Sequence, residues 1–236
     1  MATTMQQRML DAMLPADLAA EPERWQQRKS VRTRVRLVEA AIDCLVEEGY
    51  AGLTTQKVAE RTGSSRGAMH HHFATRMDLA AAVVEHVFYR RMQAFLDDYL
   101  AAVAGARDES LFEISTEAYW RSVQTRDYAA YVELAVAARS DSDLERVFLP
   151  AAQRFDAVWI SEMIESFPQW QARWETMKLV SDFVVTAHMG LMLNLPVIGA
   201  KRAALVRRLV ARVVALLHAE AAAGILDLEE NNPTGL

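Results

Sequence analysis

The sequence predicts an all-α protein in which a small basic helical module precedes a larger acidic helical body. Three observations carry this. Period-2 alternation and Asn-Gly or Asp-Gly hairpin signals are absent. Apolar residues recur at helical spacing along most of the chain. The net charge of −5 is unevenly spread: residues 24–76 carry +5, residues 1–23 carry −3 and the remainder −7. A basic module of this kind points to a polyanionic partner, the alternative being a solvated basic face.

The 236 residues are 52% hydrophobic and 24% charged, with 9 Gly and 6 Pro. That composition excludes collagen-like and low-complexity chains. The single cysteine, Cys44, excludes an internal disulfide framework and a cysteine-based zinc site, fits a reducing compartment, and reads as a buried inert thiol. The N-terminus lacks the pattern of a secretory signal. The most apolar stretch, Phe183 to Ala200, is interrupted by Pro196, short of the ~20 residues a span needs. A soluble cytoplasmic protein without a membrane partner is expected.

Element by element, residues 1–29 contain Pro15 and Pro22 and read as a flexible arm. Val35, Val38, Ile42 and Leu45 mark the first core helix, which Gly49 ends. Thr54 or Thr55 caps a short helix reaching Thr62; Gly63 stops it, and Ser64 or Ser65 caps another reaching about His71. Thr75 and Asp78 form a capping-box-like start to a long helix reaching about Ala104, with Phe88, Met92, Phe95 and Tyr99 on its inner stripe. Further helices fall near 108–124, 127–138, 142–166, 169–194 and 201–223, with a kink expected at Pro150 and a break at Pro196 and Gly199. Residues 227–236 lack periodicity and are expected to be disordered.

Residues 53–73, LTTQKVAERTGSSRGAMHHHF, carry the most chemistry. Two helices too short to stand alone meet at a tight turn. Ala59 lets them cross closely, and Gly63 supplies the positive φ the turn needs. Leu53, Val58, Ala68, Met69 and Phe73 supply the apolar inside, which leaves Thr55, Gln56, Lys57, Ser65, Arg66, Gly67, His70 and His71 outside. This is the spacing of a helix-turn-helix, whose second helix enters the DNA major groove. Arg66 can read guanine O6 and N7 with two hydrogen bonds, and Gly67 keeps the helix face flat for close approach. Thr54, Thr55, Gln56, Lys57, Ser65, His70, His71 and Arg76 are candidates for phosphate or base-edge contacts. Arg28, Lys29, Arg32 and Arg34 could reach phosphates or a minor groove.

From about Thr33 to Val87 the chain resembles the N-terminal domain of the TetR family of transcriptional regulators. The resemblance rests on Gly49-Tyr50, Leu53-Thr54-Thr55, Val58-Ala59-Glu60-Arg61, Gly63-Ser64-Ser65-Arg66-Gly67, His72-Phe73, Arg76 and Leu79. It depends on several motifs agreeing and covers about a quarter of the chain strongly. Two positions depart: Ser64 stands where the family has an aliphatic residue, and His70 where it often has tyrosine. The resemblance implies an N-terminal three-helix helix-turn-helix domain (30–76), following the arm (1–29), and a helical effector-binding and dimerisation domain (77–226). It also implies that the last two long helices pair with their symmetry mates in a four-helix bundle. The function implied is a homodimeric, ligand-responsive repressor on a double-stranded, palindromic DNA operator. Non-specific or architectural DNA binding is the alternative.

In the C-terminal body Trp120, Tyr131, Phe155, Trp159, Met163, His188 and Met192 are candidates to line a pocket for a small apolar or aromatic effector, with Arg139, Asp182 and Asn194 as further polar candidates. Most such residues serve as core. No cofactor and no metal are expected: consecutive helical residues such as His70, His71 and His72 point in different directions and cannot chelate one ion. No phosphate loop, HExxH or GxSxG motif occurs, so no enzymatic activity is expected.

Overall fold

A computed structural model describes residues 4–19, 25–103, 111–166 and 168–225, all helical or connecting segments. In chain order the helices are α1 (Met5–Met13), α2 (Ala16–Ala19), α3 (Trp25–Gly52), α4 (Thr55–Thr62), α5 (Arg66–His72), α6 (Arg76–Val103), α7 (Leu111–Ser122), α8 (Arg126–Ala138), α9 (Ser142–Ser166) and α10 (Trp174–Ala222). A 3-10 turn, Pro168–Arg173, precedes α10. The fold is all-α, as the helical periodicity requires. The tail at 227–236 lies outside the described residues.

The chain divides into two compact units, residues 1–93 with 125–159, and residues 94–124 with 160–236. The division does not follow the expected boundary at residue 76, because α8 packs on α3 and joins the N-terminal unit.

In the first unit the core of α3 is Leu37, Val38, Ala41, Ile42, Cys44 and Leu45, all buried. Leu79, Val83, Val87 and Phe88 of α6 and Tyr128 and Leu134 of α8 are also buried in this unit. The reading of residues 1–29 as a loose arm is corrected over the described part. Thr4 caps α1 by accepting from the Gln7 amide. Met9 and Met13, one turn apart, are fully buried. Asp17 of α2 then bonds Arg34 at 2.9 Å and the buried His86 at 2.9 Å. Two buried apolar residues in nine are too few to show as a sequence period. Residues 1–3 and 20–24 of that arm lie outside the described residues. Pro150 lies within α9, which spans the whole of 142–166.

In the second unit α7 packs on α10. Gly199, at φ 74° and ψ 160°, breaks the helical backbone of α10. Val180 before the break and Val210 and Val214 after it share one core cluster with Val184, Ala187 and Leu217. Residues 180 and 214 would lie about 50 Å apart on a straight helix, so α10 folds back into two antiparallel arms. Pro196 is carried inside the first arm and Gly199 makes the turn. By length and composition α10 contains a stretch apolar enough to cross a membrane, with a mean hydropathy of 1.6, yet only 11% of that stretch is buried within the chain.

Burial holds the imidazoles of His188 and His218 below their ordinary pKa, His218 at about 4. The unfolded chain takes up protons near pH 6.5 that these folded-state groups refuse. Their contribution to stability is therefore full above about pH 6.5 and is lost as pH falls from there toward 4. The melting temperature is expected to fall over this range, and His218→Gln to flatten the fall. An unchanged profile in that variant would contradict the assignment to His218.

Candidate nucleic-acid interface

The turn between α4 and α5 is built from local hydrogen bonds. Thr54 Oγ1 accepts from the Lys57 amide at 3.2 Å and starts α4. Gly63, at φ 64°, ends it. The Ser64 amide donates to Ala59 O at 2.9 Å and the Gly63 amide to Glu60 O at 3.2 Å, the Schellman pairing that satisfies the last carbonyls of a helix. Ser65 Oγ accepts from the Ala68 amide at 3.1 Å and starts α5. Thr75 and Asp78 bond reciprocally, at 2.9 and 3.0 Å, and start α6. Ser64 makes no helix cap. Its hydroxyl lies 2.9 Å from that of Thr62 and accepts from Arg36 at 3.5 Å.

Inside, Leu53, Val58, Met69 and Phe73 are buried, as the spacing requires. Ala68 is corrected: it is exposed, because in a seven-residue helix only Met69 faces inward. Arg66, Gly67, His70 and His71 form the exposed face of α5. Arg66 makes no side-chain hydrogen bond or ion pair among the described residues. A Cβ built on Gly67 meets nothing within 4 Å, so no contact inside the chain demands glycine there. On α4, Gln56 donates to Glu60 at 2.9 Å, and Lys57 is paired with Glu48. Thr55 is half-buried.

Two basic residues expected at DNA are engaged within the fold. Arg76 stacks on Tyr50, 4.2 Å from its ring centroid, and donates to Leu53 O at 2.7 Å and Tyr50 O at 2.6 Å. Arg34 stacks on Phe73 at 4.2 Å and donates to His72 O at 2.8 Å. Each places a cation on carbonyls at the negative end of a helix, α3 and α5 respectively. Sequence spacing shows a basic residue but cannot show that a backbone carbonyl lies within its reach.

The remaining basic residues of α3 form a surface. Lys29, Arg32 and Arg36 lie at i, i+3 and i+7 on one exposed face, and Arg28 adjoins them. Trp25, 70% exposed, extends this stripe, with the Lys29 ammonium 5.6 Å from its ring. At the other end Arg36 touches Ser64, so the stripe runs into the turn before Arg66.

Behind this surface, ion pairs link four helices of the first unit. Arg90 of α6 and Arg126 of α8 both pair with Glu39 of α3; Arg126 also pairs with Asp43, and Arg61 of α4 with Glu47. Arg90 loses some basicity through burial.

The seven candidate effector residues fall into separate groups. In the first unit Tyr131 packs edge-on against Phe88 at 5.7 Å, and Phe155 packs tilted against the same ring at 5.5 Å. Trp159 ends that unit and Met163 belongs to the second; both are half-buried. In the second unit His188 packs against Tyr119 at 5.7 Å and Trp120 at 6.1 Å, and Arg207 lies over the Trp120 ring at 5.0 Å. Met192 is half-buried on the same arm of α10 as His188. Arg139, Asp182 and Asn194 are exposed. Sequence reasoning missed Arg91, which is only 8% exposed. It follows Phe88 by three residues and so shares the inner stripe of α6.

Residues 37–83 match the profile of "Bacterial regulatory proteins, tetR family". The HTH-type transcriptional regulator Rv2912c of Mycobacterium tuberculosis is 30% identical over 151 residues, 62% of this chain and 76% of that protein. The HTH-type transcriptional repressor AcnR of Corynebacterium efficiens is 35% identical over 75 residues, 32% of this chain and 40% of AcnR. Among solved structures, the multidrug binding protein EbrR complexed with imidazole aligns at TM-score 0.53 and 18% identity, covering 76% of this chain and 93% of EbrR. The capped helix-turn-helix, the family profile and the length of similarity to Rv2912c agree: the chain belongs to the TetR family and is a helix-turn-helix transcriptional regulator.

Proposed function

We propose that the chain is an effector-responsive repressor that binds a two-fold symmetric DNA operator as a homodimer. The observation that carries the DNA reading is the outward face of α5. It is held by a cap at each end and by the Arg34 clamp, and it presents an unpaired arginine beside a glycine with open space in front of it. Arg66 reads a base edge, while Gly67 lets the α5 backbone approach it. The repressor AcnR, which shares 75 aligned residues, supports repression. The small-molecule complex of EbrR supports an effector.

Gly67→Ala separates fold from function. Alanine is the better helix former by about 0.5–1 kcal/mol, and its methyl group meets nothing inside the chain. The variant is expected to melt no lower than the wild type yet bind operator more weakly in fluorescence anisotropy. Unchanged operator affinity would remove the close-approach role.

The basic stripe on α3 contacts phosphates flanking the base pairs that α5 reads. Each phosphate contact contributes about 0.9 to the slope of log K against log salt. Lys29→Ala/Arg32→Ala removes four contacts in a dimer, so the slope should become shallower by about 3 to 4 on specific and scrambled DNA alike. An unchanged slope would return these residues to a solvated face.

The dimer reading rests on α10. Its first arm exposes Leu179, Phe183, Leu193 and Val197, and its second Leu205, Leu209 and Leu216. Contiguous apolar surface of this kind marks an interface. A lipid-facing role fits the folded-back arms less well, since the second carries the exposed Lys201, Arg202, Arg208 and Arg212.

A further inference from the structure

The first unit contains a buried cation with no anion among the described residues. Arg91 of α6 is 8% exposed. Its guanidinium carbon lies 3.7 Å from the ring centroid of Tyr131, 4.7 Å from Tyr128, 5.2 Å from Phe155 and 5.6 Å from Phe88. Among the described residues it makes no ion pair and no hydrogen bond, and its Nε is buried without a partner. Glu39 pairs with Arg90 and Arg126 and Asp43 with Arg126, while Asp127 Oδ1 lies 3.8 Å from Arg90 and 3.7 Å from Arg126. Guanidinium keeps its charge throughout the physiological range, and burying such a charge unpaired is costly. Ring faces offset part of that cost but offer no oxygen to its N–H donors.

We propose that Arg91 and the rings around it form the recognition site for a small aromatic monocarboxylate, which acts as the effector. A carboxylate matches the guanidinium with two parallel hydrogen bonds. It brings one negative charge, which Arg91 neutralises; a phosphate monoester brings nearly two and would leave one buried. The rings select the rest of the ligand. Phe88 already packs edge-on or tilted against Tyr131, Phe148 and Phe155, an arrangement a further aromatic ring can join.

The position suits regulation. Arg91 follows Arg90 directly, and Tyr128 lies two residues beyond Arg126. Those two arginines hold Glu39 and Asp43 of α3. A ligand drawn onto Arg91 therefore acts on the two helices, α6 and α8, that grip α3, the helix that carries the basic stripe. It shifts operator affinity to the extent that it binds the two states unequally. This step rests on the effector-responsive reading above.

The test uses the full chain and paired probes: benzoate, phenylacetate and 1-naphthoate, each against its neutral amide, by calorimetry and thermal shift. At least one carboxylate is expected to bind about tenfold or more tightly than its amide and to raise the melting temperature. Arg91→Met should abolish that preference while melting no lower than wild type, since a buried ion is often replaced by an apolar side chain of similar size without loss. If Arg91→Met fails to fold, Arg91→Lys decides: weaker carboxylate binding with unchanged amide binding supports the site. Equal binding of acids and amides, no binding of any acid at millimolar concentration, or undiminished carboxylate binding in the variant that folds would overturn it. Operator affinity is measured in parallel. A carboxylate that binds through Arg91 without changing operator affinity supports the site and overturns its effector role.

Discussion

Leu205→Glu/Leu209→Glu is expected to convert the protein into a folded monomer that no longer holds its operator. Both leucines are more than half exposed in the single chain, at 51% and 59%. They lie one turn apart on the second arm of α10, on the side opposite Val210 and Val214, which hold that arm to the first. A monomer therefore loses little by the substitution. A dimer that buries the exposed half of each loses about half of the ~1.5–3 kcal/mol of a full leucine burial, or about 3–6 kcal/mol over four, and must also desolvate four carboxylates. That exceeds what most dimers can spare at micromolar concentration. Sedimentation should show one chain per particle with unchanged far-ultraviolet circular dichroism. Operator binding should fall by more than about a hundredfold, because a monomer reaches one half-site where the dimer reaches two spaced by a helical turn. A variant that stays dimeric would place the interface elsewhere.

Arg66→Ala is expected to remove discrimination between operator and scrambled DNA while leaving the fold intact. Its side chain is exposed and holds nothing inside the chain, so the melting temperature should not change. A two-bond contact to guanine contributes about 1–3 kcal/mol of discrimination; two half-sites make about 2–6 kcal/mol, or about thirtyfold to ten-thousandfold. Binding to scrambled DNA should weaken far less, since the stripe of Lys29, Arg32 and Arg36 remains. Equal losses on both DNAs would make Arg66 a phosphate contact.

Much of this architecture is legible in the sequence because it is local. Thr54, Ser65 and the Thr75–Asp78 pair bond within three residues of themselves, so their spacing is the interaction. Gly49, Gly63 and Gly199 all adopt positive φ, and each ends or breaks the helix its position announces. What the sequence does not show is an interaction whose partner is remote along the chain. Arg76 reaches back 26 residues to Tyr50 and Arg34 reaches forward 38 to His72; one-dimensional spacing cannot tell these clamps from DNA contacts. α1 docks through Met9 and Met13 without any period long enough to register. Tyr131 and His188 both read as pocket residues, and their separation into different compact units follows from the chain crossing between units three times. Arg91 is hidden for another reason. A basic residue on an inner stripe reads as an error in the stripe until the rings around it are placed.

Whether α5 reads sequence is decided by competition between a duplex selected by the wild-type protein from random DNA and its scrambled counterpart, at physiological salt. A sequence-reading α5 gives a preference of about a thousandfold or more, falling by at least thirtyfold in Arg66→Ala. Equal affinity for the two duplexes, with the steep salt dependence of phosphate contacts alone, would contradict it and leave a non-specific DNA-binding protein.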